Sequence, residues 1–154
     1  MTRPVAPTLT QRQKRLIKES FESVKEYSTA LTKLFYGRLF ELKPELRSLF
    51  KVSLEDQSRK LLDMIVVIVE ALDDFDALRP QLVELGRKHV TYGVLPEHYE
   101  LVRKSLLWAL GRALEIEFDS ETKAAWNEML GAVAAAMLEE VPLSSAKEGS
   151  PEAG

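Results

Sequence analysis

A chain of 154 residues with 45% hydrophobic and 29% charged residues is long enough for one domain with a sizeable core. Its formal net charge of −3, with both signs interspersed, offers no basic footprint for nucleic acid or an anionic membrane. The absence of cysteine excludes disulfides, thiolate metal sites and a cysteine nucleophile.

The first nine residues read as a flexible N-terminal arm. Met1 to Thr8 carries prolines and no apolar stretch suited to a signal peptide. Thr10 with Gln13 fits a capping box, and Ile17, Phe21 and Val24 form the inward stripe of a helix reaching about Glu26. Ser28 is placed to cap a second helix. It carries Leu31, Leu34, Phe35, Arg38, Leu39 and Leu42 on one side and Tyr36 with Phe40 on another, a pattern expected of a helix packed on two faces. Pro44 opens a short helical turn ending at Phe50, and a polar connection follows. Ser53 can cap a long helix to about Leu72, whose inner column is Gln57, Leu61, Met64 and Ile68.

Asp73-Asp74 interrupts the pattern, and both aspartates read as a solvated helix end. The next helix starts near Phe75, with Pro80 in its first turns or splitting off a leading turn. His89 lies on its apolar stripe, four, seven and eleven residues after Leu85, Leu82 and Leu78. Gly93 and Pro96 then stop it, one free to take positive φ and the other unable to continue a helix. Pro96 is expected to open a helix to about Ile116, with Tyr99, Val102, Leu106, Leu110 and Ala113 inward. Asp119 or Ser120 caps a last helix showing Trp126, Met129, Val133, Met137 and Glu140 on one side. Residues 10–141 thus read as one all-α domain, and 142–154 as a disordered tail. No stretch alternates with period two. The longest nearly uncharged run, Met64 to Val69, is core and is far too short to span a bilayer. A cytoplasmic, membrane-free protein is the expectation.

Three polar residues on three helices need explaining, because Tyr36, Gln57 and His89 each head an apolar column. Burying an unsatisfied amide or hydroxyl costs about 1–3 kcal/mol on mutational scales. One reading is a hydrogen-bonded network among the three; the other is a ligand between them. A lone histidine on an apolar face is by itself more often a satisfied core residue. Other chemistries are poorly served: there is no G-x-G-x-x-G, G-x-x-x-x-G-K, H-E-x-x-H or G-x-S-x-G motif. His98 reads as a surface residue, and Glu139-Glu140 as a solvated helix end.

The runs Leu-Phe-x-Gly-Arg-Leu-Phe-x-x-x-Pro44 with Phe50, Asp-Gln57-Ser-Arg-Lys-Leu61 and Lys-His89-x-x-Tyr-Gly-Val-x-Pro-x-His-Tyr99-x-x-Val resemble those of a globin. The similarity is to bacterial single-domain globins and to the haem domain of flavohaemoglobins, over about residues 10–140. It implies a three-over-three helical sandwich around haem b, with little or no fourth helix. It further implies His89 as axial ligand to the iron, Phe50 as the wedge against the haem, and Tyr36 with Gln57 as the distal pair stabilising bound gas. Leu61 would stand over the iron. Lys60, Val94, Tyr99, Val102 and Leu106 would complete the cofactor contacts. Tyr99 and Glu140 would tune the proximal imidazole.

The ligands so implied are O₂, NO and CO, bound reversibly and tightly for oxygen binding, scavenging or detoxification by a monomer or weak homodimer. FAD and NAD(P)H domains like those of flavohaemoglobins are not expected. A nitric oxide dioxygenase working with a separate reductase is a second reading, and a haem-free sensor or interaction module a third.

Overall fold

The computed structural model describes residues 9–141, and over these the chain is all-α. The six helices are α1 (Gln11–Glu26), α2 (Ser28–Leu42), α3 (Leu54–Glu70), α4 (Phe75–Thr91), α5 (His98–Leu114) and α6 (Ser120–Met137). Short 3-10 turns occupy Pro44–Leu49, Leu72–Asp74 and Glu115–Glu117. No helix stands between Phe50 and Leu54, which agrees with the expectation of little or no fourth helix. The expected tail, residues 142–154, and all but Leu9 of the expected arm lie outside the described residues. Leu9 itself is a correction: it is buried and packs on the core, because the chain must reach Thr10 at the helix start.

Local chemistry sets the helix starts. Thr10 Oγ1 accepts from Gln13 N–H at 3.0 Å while Thr10 N–H donates to Gln13 Oε1 at 3.1 Å, a complete capping box. Ser53 and Asp119 accept from the amides three residues on, Asp56 and Thr122. Ser28 is not a cap: α1 and α2 are separated by Tyr27 alone, and Ser28 is already helical. Pro96 does not open α5 either. Residues 96–97 form a turn, and the helix begins at His98.

The first and last helices pack together. Trp126 is 1% exposed, its ring lies 6.4 Å from Phe21, and its indole N–H donates to Ser20 Oγ at 2.9 Å. An Arg12–Glu121 ion pair closes the same seam at its edge. Asp73, read from sequence as merely solvated, receives Lys18 at 2.9 Å and Lys14 at 3.5 Å and so ties α1 to the turn before α4.

Helix α2 packs broadly on α5, and α4 on α6. The α4–α6 crossing is tight: a Cβ at buried Gly86 would lie 1.8 Å from the Met137 carbonyl oxygen. Two ion pairs at the end of α6, Glu139 with Arg79 and Glu140 with Arg87, fasten it to α4. Helix α3 instead packs on α1 and on the turn that follows it. The helices carrying Gln57 and His89 thus have different principal packing partners.

Helix α5 ends abruptly. Glu115 has φ 53° and ψ −117°, a conformation that crowds any Cβ, and it accepts from Phe118 N–H at 2.9 Å to close the turn. Such strain costs roughly 1–3 kcal/mol. Relieving it with glycine costs back part of that in chain entropy, so Glu115→Gly is expected to stabilise the protein by about 1 kcal/mol. Thermal unfolding should show this as a rise of about 3 °C. A lower melting temperature would mean that the turn carries no strain.

Candidate functional site

His89 occupies the last turn of α4, and the helix end is built to hold it. Gly93 takes φ 95°. Its N–H donates to the Val90 carbonyl at 3.0 Å, and Val94 N–H to the His89 carbonyl at 2.9 Å. This pair of bonds is the Schellman termination, and it needs a residue tolerant of positive φ at the position of Gly93. A Cβ there would also press on Leu49 at 3.3 Å, which brings the corner against the 3-10 turn preceding Phe50.

The imidazole is half-buried. Its Nδ1 lies 2.8 Å from the Leu85 carbonyl one turn back. A carbonyl only accepts, so Nδ1 carries the proton and Nε2 keeps its lone pair. Burial pushes the His89 pKa down, and the Leu85 contact opposes this more weakly. The ring is therefore neutral at neutral pH, the form that binds a metal. That Leu85 carbonyl was missed from sequence. The i, i−4 spacing that put Leu85 on the stripe was the signal, since a helical side chain leans back over the preceding turn.

Tyr99, near the start of α5, sets its ring 6.2 Å from that of His89. Its hydroxyl is buried without a hydrogen-bond partner among the described residues, and burial pushes its pKa up. Glu140 is a correction. It does not face His89 or Tyr99, because α6 ends at Met137 and the exposed Glu140 carboxylate pairs with Arg87. The arginine offers it a charged partner at the surface, and burial beside Tyr99 would cost its hydration. Val94 and Val102 are half-buried, and Leu106 is fully buried.

On the other wall, Tyr36 sits in an aromatic cage. Phe35 meets it edge-on at 4.7 Å, Phe50 edge-on at 5.6 Å, and Phe40 is stacked at 6.0 Å. Phe50 also meets Phe40 at 5.4 Å, so the stretch after α2 is pinned onto that helix. The Tyr36 hydroxyl makes no hydrogen bond among the described residues, and burial pushes its pKa well above the usual phenol range. Gln57, Leu61 and Met64 are half-buried along α3 with Ile68 buried beyond them, which is the expected column. Lys60 is exposed.

Tyr36, Gln57 and His89 are not hydrogen-bonded to one another, so the mutual-network reading fails. Of the three, only the His89 side chain is hydrogen-bonded among the described residues, and its partner is the Leu85 carbonyl of its own helix. Among the described residues no cluster of three or more His, Cys, Asp or Glu could grip a bare ion. A single neutral imidazole beside the Tyr92 and Tyr99 rings suits a metal that arrives already held by its own organic group, and haem is such a group. The residues present fit it. Among the described residues neither His89 Nε2 nor the Tyr36 hydroxyl has a hydrogen bond, so the first would be free to hold the iron and the second to donate to what the iron binds.

A protein-family model described as Globin matches residues 33–137. The chain is a globin. The globin is 31% identical to a flavohemoprotein of Halalkalibacterium halodurans over 79% of its own length, and spans only 30% of that relative. It is 32% identical to a globin-like protein of Aquifex aeolicus, covering 78% of this chain and 85% of the other. Among solved structures it resembles an engineered carbene transferase, built on a nitric oxide dioxygenase candidate from Rhodothermus marinus. That match has a TM-score of 0.77 and 25% identity, covering 92% of this globin and 98% of the other chain. Membership of the family and kinship with flavohemoproteins imply haem binding. No helix among the described residues is long and apolar enough to cross a membrane.

Proposed function

We propose that this globin holds haem b through His89 and binds O₂, NO or CO reversibly and tightly. The observation that supports this most directly is the state of two side chains. His89 spends its Nδ1 proton on the Leu85 carbonyl, which leaves Nε2 free, and the caged Tyr36 phenol has no hydrogen-bond partner among the described residues. When held by His89, haem would supply the iron that takes up a diatomic gas.

Everything else is supplied by the chain. Leu61, Met64, Ile68 and Phe50 keep water away from the cleft, which protects a ferrous centre from oxidation. Tyr36 would donate a hydrogen bond from its hydroxyl to the gas, keeping its proton, and Gln57 would serve as a second donor or orient the phenol. Because burial pushes the Tyr36 pKa up, the phenol stays protonated and able to donate across the physiological range. On the proximal side, Leu85 gives His89 only a neutral carbonyl as partner. That leaves the imidazole less electron-rich than a carboxylate would, and favours reversible binding over oxygen activation. Lys60, Val94, Tyr99, Val102 and Leu106 complete the proposed contacts.

A hydrogen bond to a partly charged acceptor contributes about 1.5–3 kcal/mol. At about 1.4 kcal/mol per decade, this slows gas release roughly ten- to more than a hundredfold. Tyr36→Phe should therefore raise the O₂ dissociation rate at least tenfold in stopped-flow displacement by CO. An unchanged rate removes Tyr36 from the reading, and a chain that shows no Soret band after haem reconstitution removes the reading itself.

A second reading, nitric oxide dioxygenation, draws support from the Rhodothermus marinus neighbour. It needs an electron donor, which the proposal assigns to a separate reductase. Sustained NO consumption with added reductant would favour it over simple binding.

A further inference from the structure

The sequence placed His98 at the surface; the structure buries it to 7% exposure. This is a correction with a physical cause. His98 Nδ1 accepts the Leu95 N–H at 3.0 Å, so the ring folds back beneath the α4–α5 corner. His98 N–H in turn donates to the Leu95 carbonyl at 2.9 Å. The corner is therefore a ladder without an unmade rung. Tyr92 and Gly93 bond back into α4, Val94 bonds to the His89 carbonyl, and Leu95 bonds to His98. Three of these partners are backbone carbonyls and cannot titrate. The fourth is an imidazole.

We propose that His98 is a positioning residue for His89 and that it makes the proximal corner sensitive to acid. A neutral ring with its lone pair at Nδ1 accepts the Leu95 amide. A protonated ring carries hydrogens on both nitrogens and can accept nothing. Protonation thus leaves the Leu95 amide unpaired and sets its donor against another donor. The corner opens at Leu95, and the next rung is the Val94 bond that holds the His89 carbonyl.

The charged groups facing His98 are Glu97 at the start of its own helix, Lys43 at the end of α2 and Glu45 in the 3-10 turn that follows. Lys43 and Glu45 are themselves paired at 3.4 Å. Burial, the largest influence, and Lys43 oppose the proton and outweigh Glu97 and Glu45, which favour it, so the ring is held below the ordinary imidazole range. Folding therefore depresses this pKa. The unfolded chain binds the proton more readily, and the stabilisation, full above about pH 6.5, is lost progressively as pH falls.

The consequence for gas binding rests on the haem reading, so the test has one arm that does not. The chain has 2 histidines, so the two imidazole signals can be assigned and titrated separately by NMR in the full-length protein. Exchange of the Leu95 and Val94 amides, referred to the mid-helix amide of Ala109, should accelerate at least tenfold as the His98 signal titrates. In His98→Asn the carboxamide oxygen replaces the ring acceptor and does not titrate. It should hold Leu95 exchange within about threefold of the parent at pH 8 and abolish the acid step. His98→Phe, lacking an acceptor, should exchange fast at every pH.

In the haem-loaded protein, transfer of haem to an apoglobin acceptor should follow the same order. His98→Asn should retain only the acid limb that belongs to His89. A flat Leu95 exchange profile through the His98 titration overturns the proposal, as does an unaltered acid step in His98→Asn, which keeps the fold testable if His98→Phe does not accumulate. A chain that takes up no haem yet shows the Leu95 step overturns only the haem reading.

Discussion

His89→Ala is expected to leave a protein that folds but does not retain haem. The alanine removes the one nitrogen whose lone pair is free, since Nδ1 is engaged by Leu85. Mutating outer partners of a metal ligand already costs about 10–100-fold in affinity, and removing the ligand itself should exceed that. Reconstituted His89→Ala should show haem transfer to an acceptor globin more than about 100-fold faster than the parent, and no stable complex with O₂. Added imidazole should restore the Soret spectrum, because the walls around the lost side chain are unchanged. A red, oxygen-binding His89→Ala protein without added imidazole would mean that the axial ligand lies elsewhere in the chain.

Gly86→Ala should unfold the protein more effectively than any change of similar size. In most helix interiors glycine to alanine gains up to about 1 kcal/mol. At Gly86 the new methyl would lie 1.8 Å from the Met137 carbonyl oxygen and 2.7 Å from its carbonyl carbon. Both are backbone atoms, so nothing flexible can give way. The α4–α6 crossing must widen, and overpacking of this kind costs about 3 kcal/mol or more. Thermal unfolding should show a loss of about 10 °C. Gly37→Ala provides the contrast: a Cβ there meets nothing within 4 Å, and its melting temperature should hold or rise. Equal melting temperatures for the two variants would show that the crossing is loose.

These two residues also mark where sequence was informative and where it was not. His89 could be read because its spacing from Leu85, Leu82 and Leu78 and its stop at Gly93 are local properties of one helix. The caps at Thr10 and Ser53, the turn at Pro44 and the column from Gln57 to Ile68 were legible for the same reason. Gly86 was not, since nothing local distinguishes a glycine that admits a crossing helix from one on an open surface. His98 was misread because its partner, the Leu95 amide, becomes available only once residues 96–97 form a turn instead of the first turn of α5. Glu140 was misplaced because the stripe of α6 was extended past Met137, beyond which Arg87 captures the carboxylate. The aromatic cage joins Tyr36 and Phe40 of α2 to Phe50, and this contact across a turn has no signature in periodicity.

The seam between α1 and α6 has a consequence for synthesis. Ser20 meets Trp126, and Arg12 meets Glu121, across almost the whole length of the domain. A nascent chain emerging from the ribosome holds α1 with its inner face uncovered until α6 has followed it out. Final closure therefore waits for the last helix to appear, and a transcript cut before Trp126 would yield a product that proteases clear.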